Sequence, residues 1–210
     1  HLVFSGLMDA DDPLMKDAVA WFREGPPTRL YRPLGDVSHV PSLRHEMSSW
    51  EPAYSWNVFH SWQLGDRSRF LEGMYSLFAG GMSQQTFTVC ESRGGYTSNT
   101  SILPVMLMAR LSVIDDQIAD HELHLLRLCP LAWLSTDKEA QFLNMATRFG
   151  PVSLRVKLGA NGDELQVSYT HSLKKPDKVV LHVPPVPGLK SIIVNGRPVA
   201  WDGKTKSVAL

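Results

Sequence analysis

The sequence predicts a chain that is helical first and β second: an incomplete toroid of helical hairpins in residues 1–120, then an antiparallel β-sandwich in residues 121–210. Two observations carry this prediction. Apolar residues recur with a helical period as far as about Asp120 and with a period of two after it. The chain has 210 residues, of which 43% are hydrophobic and 20% charged, so it can bury a core in one large or two modest domains.

Two segments of the first part are predicted to be amphipathic helices. Asp12 and Pro13 provide an N-cap followed by proline at the first helical position, and Asp66 opens the second helix. Gly25 and Gly80 mark the two ends. The apolar stripes consist of Leu14, Met15, Ala18, Val19 and Phe22 in the first helix, and of Phe70, Leu71, Met74, Tyr75 and Phe78 in the second.

Two other segments are apolar nearly all round, which predicts helices buried on every side. One begins at Glu51 and Pro52, and the other begins at Asn99. The links that precede these inner helices, 25–50 and 82–98, are long, whereas the links that follow them are short. In a ring of antiparallel hairpins, this alternation places both long loops at one end, and long loops usually build a site.

The period of two after Asp120 predicts an antiparallel sheet. Apolar and polar residues alternate in 152–158 and 165–170, and Asn161 with Gly162 supplies a hairpin turn between them. Further strands are predicted at Lys178–Val183, Ser191–Val194 and Val199–Trp201, the last two joined through Asn195 and Gly196. A β-sandwich is the natural closure for such strands.

Charge and hydropathy exclude two classes of partner. The 21 Lys and Arg residues balance the 21 Asp and Glu residues, so no net field is available to hold nucleic acid or an anionic membrane surface. No stretch is long and apolar enough to cross a bilayer, because Pro104 and Arg110 interrupt the best candidate. We therefore expect neither nucleic acid nor membrane as a partner.

Cofactor and metal signatures are missing from the sequence. Cys90 and Cys129 lie in no metal-binding spacing and are expected to be core thiols, and His121 and His124 do not form a zinc motif. Asp115, Asp116 and Asp120 are expected to form a solvated helix end. The sequence thus predicts no metal site and no organic cofactor.

The predicted loop end concentrates residues suited to glycoside hydrolysis, in which one carboxyl protonates the leaving oxygen and a second carboxylate activates water or attacks. Glu51 and Glu91 are the candidate catalytic residues. Stabilisation of a helix dipole by Glu51 and simple solvation of Glu91 are the structural alternatives. The candidate substrate-binding residues, which offer aromatic faces and hydrogen-bond donors, are Trp50, Tyr54, His45, Arg93 and Tyr96.

Four runs of residues resemble the C-terminal part of bacterial six-hairpin glycosidases, and most closely α-L-rhamnosidase-like members. The runs are EPAYSWNVFHSWQLGDRSRFLEGMYSLFAGGMSQQTFTVCESRGG, ILPVMLMARLSVID, ELHLLRLCPLAWL and FGPVSLRV. The resemblance implies an (α/α)6 barrel that runs into a β-sandwich, a carbohydrate substrate cleaved by two acidic residues, and no organic cofactor. It favours an extracytoplasmic location, periplasmic or secreted.

A complete six-hairpin barrel needs far more helices than the sequence predicts, and the sequence opens at His1 without a leader. We therefore expect a fragment that needs a missing N-terminal part of the same protein or another chain. Two other functions stay open. One is a non-catalytic carbohydrate-binding or structural subunit, and the other is a polysaccharide lyase in which Tyr54 or Tyr96 works with His45 or His60.

Overall fold

The computed structural model describes residues 2–24, 58–81, 99–171 and 173–210. Within it the chain divides into two compact units, His1–Ala109 and Arg110–Leu210. The described helices are α1 (Pro13–Glu24), α2 (Val58–Leu64), α3 (Arg67–Gly81) and α4 (Asn99–Val113), and the last turn of α4 belongs to the second unit.

Two helices begin with side-chain caps at the positions that the sequence predicts. The Asp12 Oδ1 atom accepts a hydrogen bond of 2.8 Å from the backbone N–H of Leu14, and Pro13 opens α1. The Asp66 Oδ1 atom accepts a bond of 3.1 Å from the N–H of Arg69 in the first turn of α3. Each aspartate satisfies an N–H that has no partner inside the helix, and both caps are confirmed.

A tight turn joins α2 to α3. Gly65 has a φ of 70°, and its N–H donates to the Trp62 carbonyl while the N–H of Asp66 donates to the Ser61 carbonyl. This pair of bonds is a Schellman motif, which needs a residue in the left-handed region and therefore favours glycine. Phe59 and Phe70, one on each helix, are fully buried.

The prediction of a toroid of helical hairpins is wrong. The described residues contain four short helices and two mixed sheets of four and five strands, so the structure is mostly β and is not an (α/α)6 toroid. Helical periodicity identifies helices but carries no information on their partners. Two apolar residues assigned to an inner helix, Val113 and Ile114, instead belong to the core of the second unit, and Met106 is 62% exposed.

After the last turn of α4, the described part of the second unit contains nine strands and one 3₁₀-helix, Leu131–Trp133. The strands are β1 (Ile114–Asp115), β2 (Glu122–Leu125), β3 (Ala140–Thr147), β4 (Gly150–Leu158), β5 (Glu164–His171), β6 (Lys178–His182), β7 (Ser191–Val194), β8 (Arg197–Pro198) and β9 (Ser207–Ala209). One sheet has the order β1-β2-β6-β9, and the other has the order β3-β4-β5-β7-β8.

The two sheets are sandwich-like, but the prediction that they are antiparallel is wrong. Strand β2 pairs with β6 in parallel, and β5 pairs with β7 in parallel. Alternation of apolar residues identifies a strand and its buried face, whereas strand direction depends on the connections. Here the chain leaves β5, forms β6 in the other sheet and returns to form β7, so β5 and β7 run the same way.

Both predicted Asn-Gly turns are present. Gly162, with a φ of 75°, lies in the connection between β4 and β5, whose ends pair through Leu158 and Leu165. Asn195 and Gly196 both have positive φ and join β7 to β8, as a two-residue type I′ turn requires. The strand after that turn is β8, earlier in the chain than the predicted Val199–Trp201.

One hydrophobic core lies within the second unit. Residues from both sheets are almost fully excluded from solvent, so burial of their apolar surface is the main source of stability in this unit. Cys129 belongs to this core, as expected of a core thiol. The largest fully buried members are Ile114, Leu123, Leu125, Leu126, Leu154 and Leu165.

Truncation of a core leucine tests this description. Leu154 is fully buried on β4, and we expect Leu154→Ala to lower the free energy of unfolding by about 2–5 kcal/mol, because it leaves a cavity in packed surroundings. Leu143→Ala on neighbouring β3 is the matched control, since Leu143 is 47% exposed, and it should cost much less. Urea unfolding measures both, and equal losses would contradict the assigned core.

Candidate functional site

All seven residues predicted for the catalytic and substrate-binding site lie outside the described residues. They are Glu51, Glu91, Trp50, Tyr54, His45, Arg93 and Tyr96. Their roles therefore stay predictions. The lyase alternative also invoked His60, which lies in α2 and is only 6% exposed.

Two consecutive carboxylates in the second unit are buried, contrary to the expectation of a solvated helix end. Asp115 is fully buried and Asp116 is 2% exposed. The Asp116 Oδ1 atom lies 2.6 Å from Nη1 of Arg110, and its Oδ2 atom accepts a bond of 2.6 Å from the N–H of Arg148. Both oxygens of Asp116 are thereby engaged.

Asp115 is held by the turn that follows it and by an arginine. Its Oδ1 atom accepts hydrogen bonds from the N–H groups of Gln117 and Ile118, at 3.0 and 3.2 Å. Its Oδ2 atom lies 3.7 Å from Nη1 of Arg127. Asp115 is thus buried among partners from its own unit, an arrangement that suits a structural role.

A second polar cluster crosses the parallel pair β2 and β6. Lys178 Nζ lies 3.2 Å from the Glu122 carboxylate, and His124 Nε2 lies 3.0 Å from Glu122 Oε2. His124 Nδ1 lies 2.9 Å from His182 Nε2, and the two rings stack with centroids 5.2 Å apart. The four side chains form a continuous line across the two strands.

The Glu122 carboxylate determines which nitrogen of a neutral His124 carries the proton. A carboxylate only accepts, so His124 donates to Glu122 through Nε2–H, and the Nδ1 atom of the neutral ring then carries a lone pair. His182 must then donate through Nε2–H to that lone pair. Both hydrogen bonds form when the two imidazoles are neutral. If each imidazole carried an additional proton, Nδ1–H of His124 and Nε2–H of His182 would face each other as two donors.

The pKa values of this cluster follow from burial and from these partners. Burial, and then the charges of His124 and Arg127, lower the pKa of His182 from 6.5 to about 4. Burial also lowers the pKa of His124, although Asp115 and Glu122 oppose the shift. The hydrogen bond from Lys178 is the main reason why the pKa of Glu122 is lowered. The neutral histidine pair beside a charged carboxylate is thus the stable state near neutral pH.

Neither polar cluster forms a metal centre. In the ranges that the structure covers, no group of three or more His, Cys, Asp or Glu side chains could hold a metal ion. The same ranges contain no helix with the length and hydropathy that a bilayer crossing requires. In the second unit, the buried aspartates are matched by arginine side chains and backbone N–H groups.

No family model, curated protein or solved structure matches this chain, so comparison with known proteins assigns it no family.

Removal of the Asp116 carboxylate should destabilise the second unit strongly. Asp116→Ala leaves the Arg110 guanidinium, whose side chain is 10% exposed, without its counter-charge, so we expect a loss of about 3–5 kcal/mol in the free energy of unfolding. Asp120→Ala is the matched control. It breaks the exposed pair with Arg148 and should cost about 0–1 kcal/mol in denaturant titration. Similar losses for the two variants would refute a structural role for Asp116.

The histidine pair should make stability depend on pH in a defined window. Between pH 6.5 and about 4 the unfolded chain binds a proton at His182 that the folded chain does not bind, so the free energy of unfolding should fall as pH falls. Above pH 6.5, His182 is neutral in both the folded and the unfolded chain, so its contribution to the pH dependence of stability should vanish.

Urea unfolding between pH 4 and pH 8 checks this expectation. His182→Gln removes the titrating group and should give a shallower fall than the wild-type chain. His121→Asn replaces an exposed histidine outside the cluster with a residue that tolerates its positive φ, and it should keep the wild-type slope. A wild-type slope in His182→Gln would show that this histidine is not responsible.

Proposed function

We propose that this chain is part of a glycoside hydrolase, in which the Arg110–Leu210 unit is a non-catalytic β module. The carboxyl pair that cleaves the glycosidic bond would come from elsewhere, with Glu51 and Glu91 as the candidates in this chain. The rest of the natural protein or another chain would complete the site. An extracytoplasmic location belongs to the same proposal.

The observation that carries the non-catalytic role is the state of the buried carboxylates in the second unit. Asp115 and Asp116 are almost fully excluded from solvent, and their partners are arginine side chains and backbone N–H groups of the same unit. A general acid must reach the substrate, whereas these two carboxylates are buried among partners of their own unit. These two residues are thus suited to hold the fold and unsuited to hydrolysis.

The resemblance to six-hairpin glycosidases supports the hydrolase part of the proposal. It supplies the substrate class, the use of paired acidic residues and the absence of an organic cofactor. In the second unit, the resembling runs include β1, β2 and β4, which have residues in its core, and the 3₁₀-helix, whose Trp133 packs against that core. The likeness there concerns packing residues, which is consistent with a supporting module.

Activity of the longest natural polypeptide that contains this chain tests the proposal. We expect that polypeptide to cleave at least one member of a panel of aryl glycosides. Glu51→Gln and Glu91→Gln preserve side-chain shape while removing the titratable group, and loss of a catalytic carboxyl should lower kcat by about a hundredfold or more. Both variants should keep the parent's melting temperature.

Glu139→Gln is the matched control for these substitutions. Glu139 pairs with Arg155 on the surface of the second unit, and its loss should leave turnover unchanged. Parent-like turnover in both Glu51→Gln and Glu91→Gln would overturn the site assignment. A parent that cleaves none of the panel would overturn the hydrolase proposal.

A non-catalytic carbohydrate-binding subunit is the second candidate, because one observation favours it. Trp201, a half-buried tryptophan of the second unit, lines two neighbouring concavities. Aromatic rings set in a concave surface are common in sites that bind small molecules.

A further inference from the structure

The segment between β8 and β9 holds a tryptophan in a fixed orientation. Trp201 packs partly against the core of the second unit, and its indole Nε1–H donates a hydrogen bond of 2.8 Å to the Thr205 carbonyl. The ring therefore has one side supported by the protein and its polar atom satisfied within its own loop. The exposed part of the indole therefore offers a ligand an apolar surface.

Asp202 fixes the shape of this loop. Its Oδ1 atom accepts hydrogen bonds from the N–H of Lys204 and from the N–H and hydroxyl of Thr205, at 2.7–2.8 Å. Gly203, with a φ of 77°, supplies the left-handed residue of the turn. The hydrogen bonds from Thr205 and then Lys204 lower the pKa of Asp202 to about 2, so the loop keeps these bonds over the whole physiological range. A loop fixed before binding loses little conformational entropy when a ligand arrives.

Two concavities flank the ring. The larger, of about 550 Å³, is lined by Trp201, Asp202 and Ser207 together with residues of β9. The smaller, of about 330 Å³, lies against Pro184 and Pro185 and is lined also by Lys204 and Lys206. Trp201 and Thr205 line both concavities, so the two depressions are adjacent at this loop.

The chemistry of this surface fits an oligosaccharide. A sugar ring presents C–H groups on its faces and hydroxyl groups around its rim, so it can cover an aromatic surface while its rim reaches polar groups. Ser207, Thr205 and Asp202 supply such polar groups beside the ring. Lys204 and Lys206 give the smaller concavity a positive charge, which favours a sugar carboxylate there, whereas the Asp202 carboxylate in the larger concavity favours sugar hydroxyl groups.

We propose that Trp201 and the two concavities bind an acidic oligosaccharide, with neighbouring sugar units on either side of the indole and a uronate carboxylate facing Lys204 and Lys206. The site is distinct from Glu51 and Glu91. The inference rests on the proposed function for its ligand class, and it assigns the second unit the task of holding a glycan chain.

Isothermal titration of the 210-residue chain with hexagalacturonate tests the site. We expect binding with a Kd of about 1 mM or tighter, and Trp201→Ala should weaken it about tenfold or more. Trp133→Phe is the matched control, because Trp133 packs on Phe142 and lines neither concavity, and it should bind as the wild-type chain does. Replacement of both Lys204 and Lys206 by Gln should weaken binding severalfold.

A second measurement covers the case in which Trp201→Ala does not fold. Trp201→Phe keeps an aromatic ring against the core and identifies the indole resonance of Trp201 in an ¹H–¹⁵N spectrum by its absence. That resonance should shift when hexagalacturonate is added to the wild-type chain. An unshifted resonance, or unchanged affinity in a folded Trp201 variant, would overturn the proposal.

The two proposals fail in different ways. If hexagalacturonate and maltohexaose both fail to bind while the natural protein hydrolyses aryl glycosides through Glu51 or Glu91, the Trp201 site is overturned and the proposed function stands. If hexagalacturonate binds through Trp201 while no glycoside is cleaved, the site stands and the hydrolase assignment is overturned. If maltohexaose binds as tightly as hexagalacturonate, the assignment of an acidic ligand is wrong.

Discussion

Burial of two consecutive carboxylates, Asp115 and Asp116, is the constraint on which the second unit depends. An uncompensated charge in such a position costs several kcal/mol, so every partner must be in place before the core can close. Those partners come from separate parts of the chain. Arg110 lies in the last turn of α4, Arg127 follows β2, and Arg148 lies between β3 and β4. Compensation of the two charges thereby joins the helix end to strands of both sheets.

Local features could be predicted from the sequence because each is set by neighbouring residues. The caps at Asp12 and Asp66 and the turn at Asn195 and Gly196 need only a few consecutive residues, and the structure has all of them. Strand β3 was not predicted. A bulge between Phe142 and Met145, with Asn144 at a φ of 54°, breaks the alternation that would reveal it.

Features that depend on distant partners could not be predicted in this way. The burial of Asp116 follows from Arg110 and Arg148, and no spacing in the sequence indicates that these residues meet. The prediction of a toroid failed for the same reason, because a helical pattern in the sequence does not specify which elements the helix packs against. The carboxylates and aromatic residues that the sequence indicates as a site lie outside the described ranges. For Trp201 the sequence predicts only the end of a strand. The Asp-Gly pair directly after Trp201 was the available sign of a turn there.

The parallel pairing of β2 with β6 has a consequence for how the chain acquires its structure. His124 and His182, which meet across these strands, are 58 positions apart, and three strands of the other sheet are made between them. Pairings between such distant segments form slowly, because the entropy of closing the intervening loop is lost before the contact is gained. During synthesis, the edge of β2 that pairs with β6 therefore stays without its partner strand until β6 has been made. Strands β3, β4 and β5 pair with their neighbours in sequence, so we expect this meander to form before the pairing of β2 with β6.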